Sequence, residues 1–196
     1  MEVTNASLLL AQSTEFSDAV RESALYFIEQ LPMNYSVSLK KAPDTLVNII
    51  KVLMQVASEE DDNTDPFRDT PPSLALLAAR SFATHMKNKV IYPIFSDVIS
   101  QALTQTDPRI RKAGILLLGH ICESSACLEP IKDNIETHVS QILSSLKDPD
   151  FIVRIGAAET VGLFSDNVSD FVDAGDKIIP ELLIVMKELE GHTYPL

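Results

Sequence analysis

The sequence predicts an all-α fold of helix pairs stacked side by side, and three observations carry that expectation. The first is a self-match. Asp107-Pro108-Arg109-Ile110-Arg111-Lys112-Ala113-Gly114 through Leu118-Gly119 returns as Asp148-Pro149, Val153-Arg154 and Val161-Gly162, with Arg111 and Arg154 standing 43 residues apart, as do Gly119 and Gly162. The second is a shared apolar stripe at the spacing of one helix face. It reads Val20, Ala24, Phe27, Ile28, Leu31, then Ile110, Gly114, Leu117, Leu118, Ile121, then Val153, Ala157, Thr160, Val161, Phe164, and an arginine (Arg21, Arg111, Arg154) follows the first position each time. The third is composition: 45% hydrophobic residues with only 6% aromatics and no Trp, which suits close helix–helix packing better than a β-sandwich. Helix pairs at a period of roughly 40–47 residues mark a HEAT or armadillo solenoid, here a HEAT-repeat α-α superhelix of about four to five pairs. Such a stack is a scaffold that binds other macromolecules on its faces.

Each element has its own signal. Residues 1–12 read as a short apolar helix around Leu8, Leu9 and Leu10, without the polar outer face of a capping repeat, so the chain is expected to begin inside a longer solenoid. Ser13, Thr14, Ser17 and Asp18 supply caps for the helix that carries the Val20–Leu31 stripe. Pro43-Asp44 starts the next, with Leu46, Ile49, Ile50, Leu53, Met54 and Ala57 on one face. Pro71-Pro72-Ser73 launches a helix to about residue 86 with a weaker stripe (Leu74, Ala78, Ser81, Phe82, His85) and Ala75 in the arginine position. Between these two, residues 58–72 are acidic, poor in apolar side chains and closed by prolines, and read as a long mobile loop. Residues 90–103, with Pro93 in the opening turn, and residues 131–146 and 177–189 are first helices of later pairs. The expected repeats are 1–33, 36–88, 89–125, 129–168 and a partial 171–196, one continuous array across residues 1–196, ending where a partner helix is due.

Charge narrows the partners. Asp and Glu number 28 against 16 Lys and Arg, a formal net charge of −12, which disfavours nucleic acid and an anionic membrane as direct partners. A basic protein is the natural complement, although solubility alone also accounts for an acidic balance. Cys122 and Cys127 fit neither a CxxC motif nor a disulfide framework, so a reducing compartment and packing roles are expected. No basic-then-apolar leader is visible, and no run approaches the ~18 apolar residues of a membrane helix.

Chemistry finds no foothold in the pattern. His85, His120, His138 and His192 are scattered, without HExxH or Cys/His ligand spacing, and no GxSxG or phosphate-binding glycine pattern occurs. No catalytic residue, cofactor or metal is therefore expected. The Asp-Pro pairs read as cap and first turn of second helices. Asp107, Arg111, Asp148 and Arg154 read as a ladder of charge pairs along the stack, each worth on the order of 0–1 kcal/mol if exposed. Gly114, Gly119, Gly156 and Gly162 each cost about 1 kcal/mol of helix propensity, which close helix approach would offset. Second helices line the inner face of such stacks, so Glu123, Glu159 and Asp166, with Glu29, could form an acidic track or simply a solvated surface. Together with Glu59, Glu60, Asp61 and Asp62 of the loop they are the candidate contacts for a basic partner.

The run Arg111-Lys112-Ala113-Gly114 to Leu118-Gly119, then Leu146-Lys147-Asp148-Pro149 with Val153-Arg154 and Val161-Gly162, then Phe164-Ser165-Asp166-Asn167, resembles the importin-β (karyopherin) superfamily. Ile179-Pro180-Glu181-Leu182-Leu183 and Gly191-His192-Thr193 resemble its importin-4 branch. The resemblance implies an internal segment of a nuclear transport receptor that shuttles between cytoplasm and nucleus. It implies basic cargo (ribosomal proteins or core histones), Ran-GTP and Phe-Gly nucleoporins as partners of the full-length parent. It also implies an acidic insertion at Glu59-Glu60-Asp61-Asp62. The alternative from the repeat alone is a structural scaffold of the phosphatase-subunit or condensin kind.

Overall fold

A computed structural model describes residues 2–61 and 68–193. Its helices are α1 (Glu2–Gln12), α2 (Asp18–Lys40), α3 (Pro43–Ala57), α4 (Pro71–His85), α5 (Asn88–Leu103), α6 (Pro108–Cys122), α7 (Ser125–Asp133), α8 (Ile135–Leu146), α9 (Phe151–Asn167) and α10 (Gly175–Thr193), with a 3-10 turn at Ser169–Ala174. The described residues form no strand. α1 pairs with α2, α3 with α4, α5 with α6 and α8 with α9, and the second helices α2, α4, α6 and α9 pack on one another in that order. This is a HEAT-repeat solenoid of four pairs, with α10 as a further first helix.

The helix starts follow from local chemistry. Thr70 and Ser73 form a reciprocal capping box ahead of α4, with Pro71 and Pro72 in its first turn. Asp107 caps α6 by accepting from the Arg109 N–H at 2.9 Å. The core is one continuous cluster in which Phe82, Phe95 and Phe164 are the largest fully buried side chains. Cys122 and Cys127 are buried within it, and burial pushes their thiols up to about 12 and about 11. Neither forms appreciable thiolate at neutral pH.

Three boundaries and one stripe position differ from the sequence reading. The helix expected to stop near residue 33 runs on to Lys40, with Pro32 inside α2 and a break in helical geometry at Tyr35 (φ −128°, ψ 21°), three residues past the proline. A break at Asn134 splits the expected 131–146 helix into α7 and α8, and α7 packs against α4, α5 and α6. α5 starts at Asn88, which leaves Pro93 beyond its first turn. Met86, not His85, completes the buried stripe of α4.

His138 joins two first helices. Its Nδ1–H donates to Gln141 Oε1 at 2.9 Å, leaving Nε2 to accept from the Tyr92 hydroxyl of α5 at 2.9 Å, and its ring meets Phe164 edge-on. Burial holds His138 and His120 below the ordinary imidazole value, even though Glu123 beside His120 favours its charged form. The unfolded chain then protonates first, near pH ~6.5. Stability is therefore full above about pH 7 and falls as the pH drops below about 6.5. Denaturation at about pH 7.5 and pH 5.5 should show a smaller loss for His138→Gln than for the wild type, and equal losses would exclude His138 as the titrating group.

Candidate functional site

The charged side chains sort into groups tied up in the stack and groups left to solvent. Three of the second-helix arginines are tied up. The Arg111 Nε and Nη2 donate to the two Asp148 carboxylate oxygens, both at 2.8 Å, while Nη1 donates to the Gln105 and Thr106 carbonyls. Arg154 repeats the arrangement one pair later, with Nη1 on the Asp148 and Pro149 carbonyls and Nε and Nη2 on Glu188 Oε2. Arg21 does so at the first pair, with Nε on the Ala11 carbonyl and Nη2 on both oxygens of Glu59 at 2.6–2.7 Å. Each guanidinium thus binds backbone at or just past the end of the first helix of its own pair and reaches an acid of the next pair, Glu59 and Asp148 just past the ends of α3 and α8 and Glu188 within α10.

This geometry corrects three assignments. Glu59 is a rung of the ladder, because it stands two residues past the end of α3 as Asp148 stands two past the end of α8. Asp107 is not a rung: it caps α6 and pairs with Arg109, its Oδ2 accepting from Nη2 at 2.9 Å. Asp148 is not the cap of α9, a role taken by Asp150, whose Oδ1 accepts from the Ile152 N–H. A 43-residue shift places Asp107 on Asp150 and Gln105 on Asp148. The second rung therefore lacks both halves, Ala75 standing for the arginine and Gln105 for the acid.

The roots of the acidic loop are also engaged. Asp61 accepts from the Thr70 hydroxyl at 2.6 Å, and Asp69 accepts from the Tyr26 hydroxyl, which its carboxylate holds above the usual phenol range. Asp62 lies outside the described residues. Glu60 is 73% exposed and lies 3.4 Å from Arg109. Glu59, Glu60 and Asp61 line a hollow of about 400 Å³ together with Asp18 and Glu22 of α2, five acids against the two guanidiniums of Arg21 and Arg68. Neither Asp18 nor Glu22 is among the candidate contacts read from the sequence, where Asp18 serves only as a cap, although their four-residue spacing sets them on the same face of the helix.

The other candidates do not join that hollow. Glu123 sits in the α4–α6 joint, its Oε1 3.2 Å from Arg80 Nη1 and its Oε2 3.3 Å from His120 Nδ1. Glu159 and Asp166 are exposed on α9. Of the candidate acids, then, Glu60, Asp61, Glu159 and Asp166 face solvent. Among the described residues no group of three or more His, Cys, Asp or Glu is placed to hold a metal ion, and no helix is long and apolar enough to cross a membrane.

No family profile matches the chain. It is similar to Importin-4 of Homo sapiens, 27% identical over 145 residues, which cover 72% of this chain and 13% of that protein. It is also similar to a probable importin-5 homolog of Dictyostelium discoideum, 23% identical over 151 residues, covering 76% of this chain and 14% of the relative. In structure it superposes on Kap121p bound to Pho4p with a TM-score of 0.80 and 18% identity, over 92% of this chain and 19% of that one. Kap121p has also been solved with RanGTP and with Nup53p. The chain thus spans less than a fifth of the length of the proteins it matches.

Proposed function

Since the chain is a HEAT-repeat segment of the importin-β superfamily, we propose that it serves in a nuclear transport receptor and contributes an acidic surface for basic protein cargo. The observation that carries this reading is the similarity to importins over about three quarters of the chain. The relatives are transport receptors, which does not favour a phosphatase-subunit or condensin scaffold. Within the segment, Glu60, Asp18 and Glu22 around the hollow are the acids we assign to cargo, with Asp61 beside them, Asp62 next to it in sequence, and Glu159 and Asp166 on α9 as a second patch. Glu59 and Glu123 serve the stack. Ribosomal proteins and core histones have the required charge. Kap121p's complexes with RanGTP and a nucleoporin support the same two partners for the full-length parent, which would shuttle between cytoplasm and nucleus.

The test is fluorescence anisotropy with a labelled lysine-rich peptide across a salt series. Binding should weaken steadily with salt. Asp18→Asn with Glu22→Gln and Glu60→Gln should weaken it roughly tenfold, at about 0.5 kcal/mol per exposed charge. Salt-independent binding, or no change in the triple variant, would remove this surface from cargo recognition.

A further inference from the structure

The Arg21–Glu59 rung differs from the Arg111–Asp148 rung in what stands beside its acid. Ser58 lies one residue past the end of α3 and Glu59 two past it, and the matching residues after α8 are Lys147 and Asp148. Lys147 places a cation at a helix C-terminus, where positive charge is favoured, and pairs with Glu181 at 3.0 Å. The first rung has a hydroxyl in that place. Ser58 Oγ donates to the Gln55 carbonyl at 2.7 Å in an exposed bond.

Three carboxylates follow that hydroxyl directly. Glu59, Glu60 and Asp61 occupy the next three positions, and no other serine or threonine of the chain is followed by three acids. Ser58 to Asp61 all lie past the end of α3, outside the helical hydrogen-bond ladder. A hydroxyl with this flank suits a protein kinase whose substrate groove is basic, because charge complementarity selects the partner and speeds encounter.

We propose that Ser58 is a phosphorylation site for an acidophilic protein kinase, and that the phosphate loosens the rung between the first and second pairs. Ser58 Oγ attacks the γ-phosphorus of ATP held by the kinase, and the bond to the bridging oxygen breaks. ADP leaves, and the hydroxyl proton passes to a base of the kinase. The product carries about −1.5 to −2 charge at pH 7. It has lost the proton that the Gln55 carbonyl accepted, and it stands at the C-terminus of α3, where the helix dipole opposes it. It also adjoins Glu59, which holds Arg21 at 2.6–2.7 Å, with Asp18 4.0 Å from the same guanidinium. The dianion both repels the Glu59 carboxylate and competes for Arg21. This switch is independent of cargo binding, and its test uses no cargo.

The chain is incubated with ATP and a purified acidophilic serine/threonine kinase, then followed by fragment mass spectrometry and thermal melts. A phosphate should be found on Ser58, and Ser58→Ala should not take it up. The phosphorylated chain should melt roughly 3–6 °C lower. In Arg21→Ala, or Arg21→Gln if that one folds poorly, the rung is already open, and the same phosphate should lower the melt by roughly half as much or less. No phosphate on Ser58 overturns the proposal. So does a phosphorylated chain with an unchanged Tm, or a full drop in the Arg21 variant, which would put the effect on the helix end alone.

Discussion

Arg111→Ala should lower the unfolding free energy by about 2–3 kcal/mol, since it removes a charge-assisted bidentate pair and leaves both partner groups short of donors. At this chain length that corresponds to a drop in Tm of roughly 5–10 °C. The pair stands apart from an ordinary surface salt bridge, with only 15% and 10% of the Arg111 and Asp148 side chains exposed. One guanidinium satisfies four acceptors: two carboxylate oxygens and the carbonyls of Gln105 and Thr106. Arg111→Lys should not restore the loss, because an ammonium cannot present that planar fork. Burial pushes the Asp148 carboxyl up, but the Arg111 guanidinium and the Asp150 N–H hold it below the usual range. Its contribution is thus present above about pH 4 and lost as acid titrates the folded state. Thermal melts of Arg111→Ala, Asp148→Asn and the double variant give the coupling, and a coupling below about 0.5 kcal/mol would reduce the ladder to surface decoration.

That ladder shows what the sequence could and could not reveal. The 43-residue period, the stripes and the arginines were legible because they repeat in spacing and residue type. The acid partners were not. Asp107-Pro108 and Asp148-Pro149 look alike as dipeptides, yet they stand two residues out of register, one as cap and one as rung. Glu59 was hidden for the opposite reason: it sits among Glu60, Asp61 and Asp62, and composition alone cannot separate the carboxylate that closes a joint from those that face solvent. Its distance past the end of α3 carried that information. Burial was the third gap. Phe27 and Thr160 hold the same stripe position, but exposure depends on whether another second helix lies across it, which no local periodicity records. The continuation of α2 past Pro32 to Lys40, with Leu39 buried, likewise lies beyond the Val20–Leu31 stripe that marked the helix in the sequence.

The helix glycines should divide by sign under substitution. A Cβ on Gly114 would lie 2.8 Å from the Cβ of Ala102 on α5. That atom has no rotamer to move away, so α5 and α6 must separate. Overpacking of this kind costs about 1–3 kcal/mol, more than the ~1 kcal/mol of helix propensity that alanine restores. Gly114→Ala should therefore destabilise, and Gly114→Val should do so more strongly. Gly162 is also inside a helix, has no left-handed backbone angle and meets nothing within 4 Å. Gly162→Ala in dilute solution should then stabilise by about 0.5–1 kcal/mol. Gly156 falls between, with contacts of 3.2–3.4 Å to Lys112, Ile115 and Leu116 side-chain atoms that can give way. Urea denaturation of the three alanine variants under one buffer decides the order. If Gly114→Ala stabilised the chain as much as Gly162→Ala, close approach would not be what the glycine on α6 provides, and the α5–α6 spacing would have to be set by its larger neighbours Ile110 and Leu103.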